Sequence, residues 1–171
     1  GLFDEAGEGF AVLQGFLGGP PEFGADADLV TPVVDGSVLF DAYDGFIGAY
    51  YEWYNGFDFT RLPLNGLVWS PEGEGPFPLV LIVHGNHAMA HPSDPGYAYL
   101  GQHLASRGMI AVSVDENFLN GFMNNENDAR GWMLLKHLQA WRQFNDSAGS
   151  PLHGRVDMTR IALMGHSRGG E

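Results

Sequence analysis

Ser167 has the sequence setting of a catalytic nucleophile. It stands at the centre of Gly-His-Ser-Arg-Gly, residues 165–169, directly after the apolar run 161–164. A glycine two positions to either side leaves room for a turn so tight that the serine adopts a strained backbone conformation and exposes its hydroxyl group. A hydroxyl presented in this way can attack a carbonyl carbon. Ser167 is therefore the first residue that we expect to do chemistry.

A second segment is suited to stabilise the product of such an attack. Negative charge develops on the carbonyl oxygen, and fixed N–H donors must lie close to it. The apolar residues 78–83 lead into His84, Gly85 and Asn86, where glycine lets the backbone approach a substrate. We expect the backbone N–H groups of Asn86 and of Arg168, the residue after the serine, to hold this oxygen.

Three apolar runs must position these segments. The runs 78–83, 109–115 and 160–164 are continuous rather than alternating, which is typical of parallel strands buried on both faces. In a parallel sheet the loops after such strands gather at one edge. The pattern therefore predicts that the loop at 84–86 and the turn around Ser167 lie together.

Two helices are predicted between these strands. Asp94-Pro95 begins the first helix and Gly108 ends it. A capping box at 125–128 opens the second helix, and its apolar stripe consists of Leu134, Leu138 and Trp141. Strand, helix, strand, helix, strand predicts right-handed crossovers in an α/β fold, with a mostly parallel sheet and helices on both faces.

The first sixty residues differ from the rest. Gly, Pro and Asp interrupt them, and we expect residues 1–60 to form an irregular extension that packs on the sheet, with short strands at 29–34 and 38–40. The aromatic block within 46–59 could cover a sheet edge or form a stacking platform for sugars or aromatic acyl groups, and packing is favoured. After it, residues 64–69 and 79–83 flank a turn and predict an antiparallel N-terminal hairpin.

The segments "LVLIVHGNH" and "RIALMGHSRGG" together resemble the α/β-hydrolase fold family. The sequence from about residue 53 onward is similar to bacterial members of the chlorophyllase-like, dienelactone-hydrolase-like and polyester-hydrolase-like kinds. This resemblance implies a serine hydrolase for small or polymeric carboxylic esters, without a cofactor, in which an Asp or Glu and then a His follow the serine. Both would lie beyond Glu171, so we expect 61–171 to be the N-terminal portion of a truncated hydrolase domain, inactive alone.

Two other functions use the same features. A prolyl-oligopeptidase-type peptidase has the same nucleophile turn, and a non-catalytic binding module could retain the fold without the triad. Proline-containing amides as substrates would distinguish the first from an esterase. An Asp or Glu and a His at later strand ends would argue against the second.

The histidines within the chain are not expected to be catalytic. His84 belongs to the oxyanion loop, where we expect it to bind loop backbone. His87 and His91 could face the cleft, although a solvated position is more common, and we expect His166 to point away from the site and to pack. The remaining three are expected on helical or loop surface: His103, His137 and His153.

Acidic residues and overall charge exclude several functions. Residues 115–117 end a strand at the active edge, where we expect caps and loop hydrogen bonds. Residues 117–128 lack the ligand pattern of a calcium loop, so no metal is predicted.

The net charge is −13, from 21 acids and 8 bases, which argues against nucleic acid and anionic membranes as partners. Cysteine is absent, and no apolar stretch reaches the length of a membrane span. The composition predicts a soluble protein and is compatible with a secreted or periplasmic one.

Overall fold

A mixed five-stranded sheet is the framework of the described part of the protein. The computed structural model describes residues 13–16, 32–40, 49, 52, 54–120 and 126–171. Its strands are β1 (Leu13–Phe16), β2 (Val33–Val34), β3 (Leu62–Pro63), β4 (Gly66–Ser70), β5 (Phe77–Val83), β6 (Ile110–Val114) and β7 (Val156–Gly165). Five of them form one sheet in the order β1-β4-β6-β5-β7, while β2 and β3 pair separately.

The three C-terminal strands of the sheet run parallel. Leu79 of β5 pairs with Ile110 of β6, and Val83 of β5 pairs with Val114 on that side and with Gly165 of β7 on the other. These pairings align the carboxyl ends of the three strands, as the continuous apolar runs predicted. The loops at 84–86 and 166–168 therefore leave the same edge of the sheet.

Helices cover both faces of this sheet. The described helices are α1 (Ser37–Phe40), α2 (Ala98–Ala105) and α3 (Glu126–Asp146). On one face, Ala105 of α2 packs with Leu67, Trp69 and Ala111. On the other, Trp141 of α3 belongs to a buried cluster with strand residues that include Leu81 and Val112. The α/β class with helices on both faces is thus confirmed.

Proline and glycine bound the α2 segment as predicted, but Ser93 and not Asp94 is the N-cap residue, and no side chain caps the turn. A 3-10 turn, Asp94–Tyr97, has proline in its first positions and leads directly into α2. Gly108 ends the segment with φ +80°, a conformation that favours glycine. Ser113 of β6 donates its hydroxyl to the carbonyl oxygen of Asp94 at 2.8 Å and so ties this turn to the sheet.

Three local predictions are wrong. β4 enters the sheet antiparallel as predicted, but it pairs with β6 and not with β5, so the expected hairpin partners are separated by one strand. Residues 38–40 belong to α1, because the carboxylate of Asp35 accepts the N–H of Ser37 and starts a helical turn. β7 was expected to be buried, yet among the described residues it is an outer strand of the sheet and Leu163 is 54% exposed.

Part of the N-terminal prediction lies outside the described residues, including 29–31 and most of the aromatic block. The two aromatic residues at the end of that block pack as expected. Phe57 contacts Phe118 edge to face, with ring centroids 5.4 Å apart. Phe59 packs against the buried hydrophobic cluster to which Phe118 belongs. Among the described helices, none combines the length and apolar character needed to cross a membrane.

Candidate active site

Ser167 lies on a sharp turn immediately after β7. Its φ is +54°, and within the described residues it is the one non-glycine residue with positive φ. An L-residue adopts this conformation only when its surroundings hold it there. The side chain is exposed at the edge of the sheet. The strained, exposed geometry predicted from the glycine spacing is therefore present.

The two glycines of the motif are required by close backbone packing. A side chain at Gly165 would overlap the backbone of Gly169, and one at Gly169 would overlap the carbonyl groups of Val83 and His84. The N–H of Gly169 donates to the carbonyl oxygen of His166 at 3.0 Å and closes the turn. The turn is thus packed directly against the end of β5.

The predicted oxyanion loop and the predicted nucleophile turn meet at Gly85. A Cβ atom built on Gly85 would lie 2.9 Å from Cβ of Ser167 and 3.1 Å from Nδ1 of His166. Asn86 follows on the exposed side of this contact, and Arg168 is exposed in the 3-10 turn Ser167–Gly170. The structure therefore brings the two predicted segments together. The roles of the Asn86 and Arg168 N–H groups stay a prediction.

His84 lies beneath this loop and is fully buried. Its Nδ1 is 2.8 Å from the carbonyl oxygen of Gly85, and its Nε2 accepts the backbone N–H of Glu116 at 3.1 Å. The expected contact with loop backbone is confirmed. Burial lowers the pKa of His84, because the charged imidazolium would lose its hydration. The ring is therefore a neutral component of the loop.

A buried polar cluster supports the same loop from α3. The guanidinium of Arg130 donates to Glu116 Oε2 at 3.3 Å, to Asn120 Oδ1 at 2.8 Å and to the carbonyl oxygen of His84 at 3.4 Å. Arg130 is 2% exposed, and both Glu116 and Asn120 are fully buried. Burial raises the pKa of Glu116, although the neighbouring guanidinium opposes the shift.

Sequence reasoning missed Arg130. A signal for it exists, since Arg130 shares a helical face with Met133, His137 and Trp141, all of which are buried. A charged residue on such a stripe must find partners inside the protein. His137 was expected on the surface. That prediction is wrong, because His137 lies on this same buried face of α3.

An open cavity of about 440 Å³ borders the nucleophile turn. His87, His91 and His166 line it together with Tyr97 and Ser93. The expectation that His166 packs away from the site is wrong, because His166 is exposed and faces this cavity. His87 and His91 are also exposed beside it, so the alternative of a cleft-facing position fits them.

Two carboxylates lie at the end of β6, bridged by an amide. Asn117 Nδ2 donates to Asp94 Oδ1 at 2.8 Å and to Asp115 Oδ1 at 2.6 Å, and Asn117 Oδ1 accepts the N–H of Ser93 at 2.8 Å. Burial and then the charge of Asp115 raise the pKa of Asp94 to about 6. The loop hydrogen bonds predicted for residues 115–117 are confirmed. In the described ranges, no three His, Cys, Asp or Glu side chains are placed to hold a metal ion.

One family model and several curated proteins match this chain. A family model described as PET hydrolase-like matches residues 66–171, more than half of the chain. Bis(hydroxyethyl) terephthalate hydrolase of Streptomyces coelicolor is 32% identical over 108 residues, 62% of this chain and 31% of that protein. Cutinase 2 of Thermobifida cellulosilytica is 35% identical over 83 residues, 44% of this chain and 29% of the cutinase. Chlorophyllase-1 of Citrus sinensis is 27% identical over 111 residues, 61% of this chain and 30% of that enzyme. The chain spans about a third of the length of these curated relatives.

Proposed function

Because the chain belongs to the PET hydrolase-like family, we propose that the full-length protein hydrolyses carboxylic esters with Ser167 as its nucleophile. The observation that carries this proposal is the conformation of Ser167, which is exposed at φ +54° and packed against Gly85. The resemblance to chlorophyllase-like and polyester-hydrolase-like α/β-hydrolases is confirmed by the family match and by the relatives.

The proposed reaction proceeds through an acyl-enzyme. Ser167 Oγ attacks the ester carbonyl while a histidine beyond Glu171 takes its proton, and an Asp or Glu orients that histidine. The backbone N–H groups of Asn86 and Arg168 hold the oxyanion. The alcohol leaves with the proton from the histidine, and water then releases the acid by the same steps in reverse order. No cofactor takes part.

The relatives support an ester as the substrate. One of them is named bis(hydroxyethyl) terephthalate hydrolase, the second is named as a cutinase and the third as a chlorophyllase. We propose a small or polymeric carboxylic ester as the substrate class. The exposed turn is compatible with either, since Ser167 lies at the surface of the described segment.

A fluorophosphonate probe and a p-nitrophenyl ester test the proposal on the full-length protein. Wild type should be labelled at Ser167 and should hydrolyse p-nitrophenyl butyrate, and Ser167→Ala should lose both. Ser106→Ala is the matched control, because the Ser106 hydroxyl contacts only the carbonyl oxygen of His103 among its described hydrogen bonds. Full labelling of Ser167→Ala would place the nucleophile elsewhere. Turnover of proline-containing amides without ester turnover would indicate a peptidase, and no turnover of either would favour a binding module.

A further inference from the structure

The contacts beneath the oxyanion loop suggest a role for His84 in orienting one peptide group. The carbonyl of Gly85 and the N–H of Asn86 belong to the same peptide unit. In a planar trans peptide these two groups point in opposite directions. Whatever holds the Gly85 carbonyl therefore also sets the direction of the Asn86 N–H, the group proposed as an oxyanion donor.

The hydrogen bonds of His84 determine which ring nitrogen carries the proton. The N–H of Glu116 is a donor only, so the His84 Nε2 that it contacts at 3.1 Å must be the unprotonated acceptor. The neutral ring then has its proton on Nδ1, which donates to the Gly85 carbonyl at 2.8 Å. The ring thus pulls the carbonyl inward and turns the Asn86 N–H away from the protein interior.

The Arg130 cluster holds this arrangement in place. Arg130 contacts the His84 carbonyl and also Glu116, the residue whose N–H selects the tautomer of the ring. Glu116 and Arg130 are both almost completely buried. The cluster therefore holds the His84 carbonyl and the Glu116 residue, two points at which the ring and its backbone are anchored.

We propose that His84 is a positioning residue, whose Nδ1–H orients the Gly85–Asn86 peptide toward the oxyanion while Glu116 and Arg130 fix its tautomer and place. This inference rests on the proposed ester hydrolysis. It adds that stabilisation of the oxyanion by the Asn86 N–H depends on a buried side chain that does not contact the substrate.

Three substitutions at His84 distinguish the hydrogen bond that Nδ1 donates to the Gly85 carbonyl from the one that Nε2 accepts from the Glu116 N–H. His84→Asn retains a donor near the position of Nδ1, His84→Gln retains an acceptor near Nε2 but no donor to Gly85, and His84→Leu removes both. We expect kcat and kcat/KM for p-nitrophenyl butyrate to fall together by about 10- to 100-fold in His84→Gln and His84→Leu, with KM nearly unchanged. His84→Asn should stay within about threefold of wild type.

His137→Leu is the matched control, because His137 is equally buried but belongs to α3 and forms no hydrogen bond with described residues. We expect it to change stability and to leave kcat unchanged. A folded His84→Leu or His84→Gln protein with wild-type kcat would overturn the inference, as would a loss in His84→Asn equal to that in His84→Leu. If Ser167→Ala remains active, the proposed function itself is wrong. If Ser167→Ala is inactive and the His84 variants are not impaired, only the present inference is wrong.

Imidazole nitrogen NMR of the full-length wild-type protein provides a test that requires no variant to fold. The inference predicts that His84 is neutral and protonated at Nδ1. A ring protonated at Nε2 could not accept the N–H of Glu116 and would overturn the inference.

Discussion

At the scale of single residues, steric constraints explain the candidate site better than charge does. Gly165 and Gly169 lie where any side chain would overlap neighbouring backbone, and Gly85 lies against Ser167. Ser167 lies between Gly165 and Gly169 and has a positive φ. Such requirements are local and depend on residue type, so the Gly-x-Ser-x-Gly spacing was enough to predict them.

Gly85→Ala should impair the reaction more than it impairs folding. The new methyl group would lie 2.9 Å from Cβ of Ser167, so the oxyanion loop and the nucleophile turn must move apart. We expect kcat for p-nitrophenyl butyrate to fall by about tenfold or more, because small displacements of catalytic groups are costly. Gly149→Ala is the control, since a Cβ there meets no atom within 4 Å. Equal kcat values for the two variants would show that this contact does not matter.

At the scale of elements, the packing around each helix determines whether a side chain fits at its glycine positions. Gly101 of α2 lies directly against the indole ring of Trp69, which is fully buried, whereas Gly131 of α3 faces open space. Both are glycines within helices, and their helix propensity is the same in the sequence. Only the packed structure distinguishes them.

The substitutions Gly101→Ala and Gly131→Ala should therefore change stability in opposite directions. Overpacking against Trp69 should lower the free energy of unfolding by about 1–3 kcal/mol in Gly101→Ala. Gly131→Ala should raise it by about 0.5–1 kcal/mol, because alanine restricts the unfolded chain and favours the helix. Chemical denaturation of the full-length protein measures both changes. A change of the same sign in both variants would contradict the packing described for α2.

At the scale of the whole molecule, the acidic chain carries a few buried ionisable groups whose charge state depends on folding. His137 is the simplest, because burial alone lowers its pKa from 6.5 to about 4. The unfolded chain therefore binds a proton at a higher pH than the folded protein. Its contribution to stability is complete above pH 6.5 and is lost as the pH falls from 6.5 toward 4.

His137→Leu should remove this pH dependence. Between about pH 8 and about pH 5, wild type should lose about 2 kcal/mol of unfolding free energy more than the variant does. Denaturant titrations at the two pH values, on wild type and on His137→Leu, measure the difference. His103→Gln, at an exposed histidine of α2, serves as the control and should follow wild type. Parallel pH profiles for wild type and His137→Leu would show that His137 is not buried in the neutral form.

The sequence by itself determined the features that depend on neighbouring residues. Continuous apolar runs predicted the parallel strands, proline and glycine bounded α2, and the glycine spacing identified Ser167. Tertiary structure alone decided the placement of β6 between β4 and β5, the partners of Arg130, and the contacts that set the tautomer of His84. The physical reason is that strand order and helix burial depend on pairings between distant segments, and these are energetically decided only when the whole sheet and its helices pack together.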